Sequence, residues 1–243
     1  RGRRRARGAD PTPDGDRFGT VLPWEWLALL LATVLGGAIR FWAMQRAPGL
    51  WYDEAWYGLE ALDLLRNPGW PIFFSGGGHM REPLFMYILA PVFHLLGPSV
   101  ETARGTCSAI GTLTIPAFWW MARGMFGRRV AFEVLVLAVP FRWHVQFSAL
   151  CFRTILTTLF AALVAGAVAR WLRGGGMRWA IGAGVLLGAG LYTYTAWRLA
   201  PLAVGAGGAL LWWRARRDGK PICPEILREA AAFAATALLV AAP

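Results

Sequence analysis

Long apolar runs separated by short basic segments dominate this chain of 243 residues. Two of the runs read WLALLLATVLGGAI and ILTTLFAALVAGAVA. Hydrophobic residues make up 56% of the sequence and charged residues 16%, whereas about a quarter of the residues of a soluble domain are charged. We therefore expect an all-α polytopic membrane protein.

The length of each run decides whether it is expected to cross the membrane. The runs cover residues 22–44, 84–97, 103–122, 129–147, 152–171, 179–197, 199–213 and 226–243. A spanning helix needs about twenty apolar residues, and the run 84–97 is too short. It also contains Pro91 and lies between Pro83 and Pro98, so we interpret it as interfacial or re-entrant. About seven transmembrane helices are thus predicted.

The basic residues indicate which side of the membrane each loop faces, since those of short loops collect on the cytoplasmic side. The basic tail places the N-terminus in the cytoplasm. If the run 84–97 does not cross the membrane, the basic loops at 122–129, 170–178 and 214–220 also lie on the cytoplasmic side. If the run does cross, all three loops lie outside. We predict the first topology, a multi-pass protein of the cell (plasma) membrane with an outer loop at 45–102. This pattern accounts for the net charge of +11, so nucleic acid is not an expected partner.

The chain divides into two parts. Residues 1–21 are basic and rich in Pro and Gly, which is typical of a disordered tail, here cytoplasmic, and residues 22–243 form the transmembrane module. We expect this module to be truncated at both ends, because the sequence starts with Arg and stops inside an apolar run. Two short juxtamembrane helices are predicted in the outer loop, at about 53–66 and 82–97, with the flexible SGGG of 75–78 between them.

Two adjacent acids, Asp53 and Glu54, stand in the aromatic stretch PGLWYDEAWYG of the outer loop. One interpretation is a solvated helix start, where free backbone N–H groups stabilise negative charge. The other is a sugar site, which aromatic side chains beside polar groups usually line. Because successive helical residues point about 100° apart, we expect the two carboxylates to differ in role. One would accept a proton from an attacking hydroxyl, and the other would orient that hydroxyl or bind a cation.

Other polar residues of the outer segments are candidate ligands. His79 and Glu82, in HMREPLF, are possible metal ligands, although a polar loop at the interface is the simpler interpretation. The outer arginines are Arg81, Arg104, Arg142, Arg153 and Arg198. Of these, Arg104, Arg153 and Arg198 lie at span ends or in a tight turn, where they either reach lipid headgroups or hold a phosphate in the guanidinium fork.

Five motifs follow one another along the chain: PGLWYDEAWYGLEALDLL, REPLFMYILAPVFHLLG, ARGTCSAIGTLTIPAFWWMARGMFGRR, QFSALCFRTIL and GLYTYTAWRLAPL. In this order they resemble membrane glycosyltransferases of the GT-C fold. The chain is most similar to the protein O-mannosyltransferase and aminoarabinose-transferase-like group, over about 40–215. The resemblance implies a GT-C-type N-terminal module, a polyprenyl-phosphate sugar donor and an active site away from the cytoplasm. It also implies that Asp53, beside Glu54, acts on the acceptor hydroxyl. Glu82 stands where the group has an acid or His that sometimes binds a divalent metal cation.

The second outer loop departs from the group. Relatives often carry Arg and Asp in this loop, but here the stretch reads FSALCFRTIL, with Ala149 at the place of the first Arg and no acid after Arg153. The leading hypothesis is transfer of a sugar to an acceptor hydroxyl on a lipid, glycan or protein. The alternatives are a polytopic lipid or solute transporter and a non-catalytic membrane assembly subunit. Against a transporter, the span interiors read as nearly free of charge, apart from Glu133 near a cytoplasmic end.

Overall fold

A computed structural model describes residues 19–75, 80–219 and 223–242. Within these ranges the protein is all-helical, with no strand apart from an isolated bridge between Phe74 and Arg81. This confirms the predicted all-α fold class. The α-helices are α1 (Pro23–Met44), α2 (Tyr52–Arg66), α3 (Leu84–Leu96), α4 (Val100–Met125), α5 (Arg128–Ala138), α6 (Arg142–Ala149), α7 (Ile155–Arg170), α8 (Met177–Gly190), α9 (Ala200–Arg217) and α10 (Pro224–Ala241).

Some of these helices are suited to a membrane. In the described part of the chain, Pro23–Met44 and Ile155–Gly175 are long and apolar enough to cross a bilayer. The second includes α7 and the π-helical turn that follows it. A third span results if α5 and α6, which meet at an angle of 54°, are counted as one broken segment. The protein thus has two or three candidate membrane-spanning helices, which suggests membrane association.

Helix α4 is the centre of the bundle and packs against α1, α5, α6 and α7. Contacts at its two ends show that α1 and α4 are antiparallel. Near the beginning of α1, Glu25 pairs with Arg123 in the last turn of α4. Near the end of α1, the carbonyl of Pro48 accepts a hydrogen bond from Arg104 in the first turns of α4. The chain from 45 to 99 therefore lies at one end of the bundle, called here the α2–α3 end.

The two short helices predicted in this segment are present as α2 and α3. They pack on each other through a cluster of buried apolar residues that includes Tyr57, Ala61, Phe85, Leu89 and Phe93. Helix α3 has 13 residues, too few for a straight crossing of the hydrocarbon core, for which about twenty are needed. Its apolar face instead joins the core formed with α2 and α4.

Two glycines bring α8 and α10 into close contact. A Cβ atom added at Gly184 would lie 2.1 Å from Thr236 Oγ1 and 2.4 Å from the Phe233 carbonyl oxygen. A Cβ atom added at Gly188 would lie 2.5 Å from the carbonyl oxygen of Ala237. Small residues let helix backbones approach closely, which is how membrane helices pack without a hydrophobic driving force between them.

We predict that Gly184→Leu separates α8 from α10 and destabilises the protein by about 1–3 kcal/mol, as overpacking typically does. The matched control is Gly182→Leu on the same helix, where an added Cβ meets nothing within 4 Å. The thermal midpoint of the detergent-solubilised protein should fall for Gly184→Leu alone. Equal midpoints for the two variants would contradict the close approach of these helices.

Candidate functional site

Asp53 lies at the second residue of α2 and is half-buried. Its side chain accepts no hydrogen bond from the residues that the structure describes. Tyr57 follows one helical turn later and is buried. Burial raises the pKa of the Tyr57 hydroxyl well above its ordinary value, and the negative charge of Asp53 raises it further. Tyr57 therefore stays protonated, and the Asp53 side chain has acceptor positions that no described residue occupies.

Glu54 has different surroundings and is only 3% exposed. Arg104 binds it with a bidentate fork, Nε to Oε1 and Nη2 to Oε2, both at 2.8 Å. Glu54 also accepts the backbone N–H of Trp51 at 3.1 Å, which caps the start of α2. The neighbouring carbonyls of Ala47, Pro48 and Gly49 accept further hydrogen bonds from Arg104.

These contacts join two residues to which the sequence analysis gave separate roles. Glu54 was predicted to be catalytic, and Arg104 was predicted to bind the donor phosphate. In the structure they fix the linker and the first turn of α2 to α4. Arg104 has its donors engaged by Glu54 and the linker carbonyls, so the arrangement favours a positioning role for both. Their predicted roles stay predictions.

Glu82 is the second buried acid of the α2–α3 end and is 1% exposed. Its Oε2 accepts from Arg153 Nη1 at 2.5 Å, and its Oε1 accepts from Thr195 Oγ1 at 2.8 Å. Arg198 Nη2 lies 3.5 Å from Oε1. Glu82 thus joins the entry to α3, the link between α6 and α7, and the turn before α9. Three of the predicted site residues, Glu82, Arg153 and Arg198, meet here.

Arg153 and Arg198 differ in what they offer a ligand. Arg153 is 6% exposed, and its guanidinium lies 5.8 Å from the ring centroid of Tyr57 and 5.1 Å from that of Tyr194. Its Nε is buried and has no hydrogen-bond partner among the described residues, which leaves one donor unsatisfied. The Arg198 side chain is 60% exposed. One arginine therefore has a spare donor, and the other has an open face.

Tyr57 connects α2 with the link between α6 and α7 at the α2–α3 end. It follows Asp53 on α2, and its ring faces the Arg153 guanidinium. Trp51 and Phe152 make a similar connection with ring centroids 6.3 Å apart. The predicted base and the predicted phosphate-binding cations are therefore brought to the same end of the bundle by aromatic contacts between α2 and the α6–α7 link.

The surroundings of Glu82 do not suit a divalent cation. Two arginines already balance its charge, and both of its oxygens accept hydrogen bonds from protein donors. Its predicted co-ligand His79 lies outside the described residues. Within the described ranges, no group of three or more His, Cys, Asp or Glu residues is placed to hold a metal ion. The metal role of His79 and Glu82 stays a prediction, and no step proposed below uses it.

A buried charge lies inside the first apolar run, where the sequence pattern predicted a span interior nearly free of charge. Arg40 of α1 is fully buried and donates to the carbonyls of Gly36, Ala138 and Val139 at 2.8, 3.2 and 3.4 Å. Its Nη2 lies 2.8 Å from His144 Nδ1. The expectation of nearly charge-free spans was therefore wrong at Arg40. A lone Arg in an apolar run was the available signal, because such a charge needs a partner.

A further buried pair joins α2 to the segment that leads into α3. Arg81 Nη1 donates to Glu60 Oε1 at 2.8 Å, and both side chains are buried. The Arg81 guanidinium also lies 5.4 Å from the ring centroid of Trp56. This pair joins the middle of α2 to the segment before α3. Arg81 was one of the outer arginines considered as candidate ligands, whereas Glu60 was not predicted to have a role; in the structure the two residues pair with each other.

Neither a protein-family model, a curated protein nor a solved structure matches this chain. The likeness to GT-C glycosyltransferases therefore depends on the sequence motifs alone.

We predict that Arg104→Gln destabilises the protein by about 3–5 kcal/mol, because it leaves the buried Glu54 carboxylate without its cation. Adding Glu54→Gln removes that isolated charge and should restore part of the loss. Denaturant unfolding of the two variants and of the double variant in detergent measures this coupling. A double variant less stable than Arg104→Gln alone would contradict it.

Proposed function

We propose that this chain is an integral-membrane glycosyltransferase that moves a sugar from a polyprenyl-phosphate donor to an acceptor hydroxyl at the extracytoplasmic face. One observation supports this most. The Asp53 carboxylate accepts no hydrogen bond from the described residues, and it lies one helical turn from Tyr57, which packs on Arg153. An acid that accepts no hydrogen bond from the described residues thus shares the α2–α3 end with Arg153 and Arg198, which supports the proposed roles of a base and of phosphate-binding cations.

The proposed reaction is a displacement at the anomeric carbon. The acceptor oxygen forms the new bond to that carbon as the bond to the phosphate oxygen breaks. Asp53 takes the proton of the attacking hydroxyl. The leaving polyprenyl phosphate gains negative charge, which Arg153 and Arg198 offset. Glu82 holds these two arginines in place, and Glu54 with Arg104 holds the start of α2 that carries Asp53.

The proposed orientation combines the arrangement of the helices with the tendency of basic residues in short loops to lie on the cytoplasmic side. We take α1, α4, α5 with α6, α7, α8, α9 and α10 as seven crossings of a GT-C-type module. The basic segments 122–129 and 170–178 then lie at the end opposite Asp53, on the cytoplasmic side with the N-terminus. Helix α9 has no buried residue in the structure, which fits a helix that faces lipid. The acceptor stays open among lipid, glycan and protein.

One observation favours the transporter alternative. Arg40 and His144 form a buried polar pair at the bend between α5 and α6. Ionisable residues and broken helices within a membrane segment are the usual marks of a transport path. Movement of a labelled polyprenyl-phosphate sugar across a vesicle membrane with the sugar–phosphate bond intact would support this alternative.

We predict that Asp53→Asn lowers sugar transfer about 10²–10⁴-fold, the usual contribution of a positioned proton-transfer group. The control is Asp63→Asn on the same helix. Asp63 is exposed, and among the described residues its side chain accepts a hydrogen bond from Asn67 alone. The assay measures release of labelled sugar from polyprenyl-phosphate sugars by the purified full-length protein. Transfer at the wild-type rate by Asp53→Asn would exclude Asp53 as the base.

A further inference from the structure

An apolar cleft of about 420 Å³ lies between α1 and α6 at the α2–α3 end. Its walls include Ile39 and Ala43 of α1, and Val145 and Leu150 on the opposite side. Its volume falls within the range of about 300–1,000 Å³ that ligand pockets have. None of Glu82, Arg153 and Arg198 lines it, so the cleft is distinct from the proposed transfer site.

Arg142 supplies the cation of this cleft. It is the first residue of α6, lines the cleft and is exposed. Among the described residues it makes no hydrogen bond, ion pair or ring contact. This distinguishes it from Arg104 and Arg153, whose charges are balanced by buried acids. An unpaired cation beside an apolar cleft is complementary to an amphiphile with an anionic head.

The neighbours of Arg142 indicate its depth in a membrane. Phe141 and Trp143 flank it in sequence and are 56% and 64% exposed. Exposed aromatic side chains collect at the headgroup level of membrane proteins. An arginine at the same level has its guanidinium among lipid phosphates, with the hydrocarbon below. The cleft then opens where the acyl chain of a lipid begins.

We propose that this cleft is a binding site for an anionic phospholipid of the bilayer. One acyl chain lies between α1 and α6, and the headgroup phosphate pairs with Arg142. Gln146, one turn along α6, also lines the cleft and offers the headgroup a neutral amide. The polyprenyl-phosphate donor is the less favoured occupant, because the cations assigned to its phosphate lie elsewhere.

The site has a direct connection to the start of α2. Ala47, Pro48 and Trp51 complete the cleft wall, and Trp51 is the residue that precedes α2. Arg104 holds the carbonyls of this linker. A lipid in the cleft therefore packs against the segment that leads to Asp53, and its occupancy would support the position of that residue.

The test measures retention of phosphatidylglycerol and phosphatidylcholine by the purified protein with native mass spectrometry. The wild type should retain phosphatidylglycerol in preference. Arg142→Gln should weaken phosphatidylglycerol retention about tenfold, as expected for loss of a charge-assisted contact, and leave phosphatidylcholine unchanged. The control is Arg129→Gln, because the Arg129 side chain is 93% exposed and, in the part of the chain that the structure describes, pairs only with Glu133 four residues along the same helix.

Cleft-filling variants test the acyl-chain part. Ala43→Phe and Val145→Phe fill the cleft from opposite walls, so a folding defect in one leaves the other informative. Both should weaken retention of the two lipids, whereas Val136→Phe on an exposed position of α5 should not.

Wild-type retention in Arg142→Gln and in the folded filling variants would overturn the proposal. The proposal would also be overturned if the wild type retained polyprenyl phosphate more tightly than phosphatidylglycerol and Arg142→Gln abolished that retention of polyprenyl phosphate. No result depends on sugar transfer.

Discussion

The pairing of charge at the two ends of an apolar bundle is the constraint on which this structure depends. A charge held in or near hydrocarbon is costly unless it is paired. The pairs at one end are Glu25 with Arg123 and Arg128, and those at the other include Glu54 with Arg104, Glu60 with Arg81 and Glu82 with Arg153. Each joins helices or linkers that are distant in sequence. Buried pairs contribute little net stability, but breaking one is costly, so they fix the positions of the helices relative to one another.

This constraint divides the polar residues of the α2–α3 end into two groups. Glu54 and Glu82 are committed to arginines and hold the scaffold. In the proposed transfer, Asp53, the unpartnered Nε of Arg153 and the exposed face of Arg198 are left to meet the substrate. Adjacent carboxylates at the start of one helix thus have different surroundings, because successive residues point in different directions. Glu54 faces α4 and is buried there, whereas Asp53 is half-buried near Tyr57.

Local pattern was sufficient to predict several elements. The first apolar run, 22–44, corresponds closely to α1, and the proline-bounded loop segments correspond to α2 and α3. The run 129–147 was predicted to be one helix, but it bends between α5 and α6. Pro140 lies at that bend, and Arg40 satisfies the carbonyls of Ala138 and Val139 there. The contribution of Arg40 depends on a contact between distant residues, which apolar periodicity does not reveal. The partnership of Glu54 with Arg104 was hidden for the same reason.

The central claim is that the α2–α3 end faces away from the cytoplasm, and cysteine labelling from one side of the membrane tests it most directly. In a Cys223→Ala background, whose two other cysteines are buried, Tyr52→Cys and Arg129→Cys place single exposed thiols at opposite ends of the bundle. A membrane-impermeant maleimide added to intact cells should label position 52 at once and position 129 only after permeabilisation. Labelling of position 52 only after permeabilisation would contradict the proposed orientation and the sugar transfer assigned to Asp53.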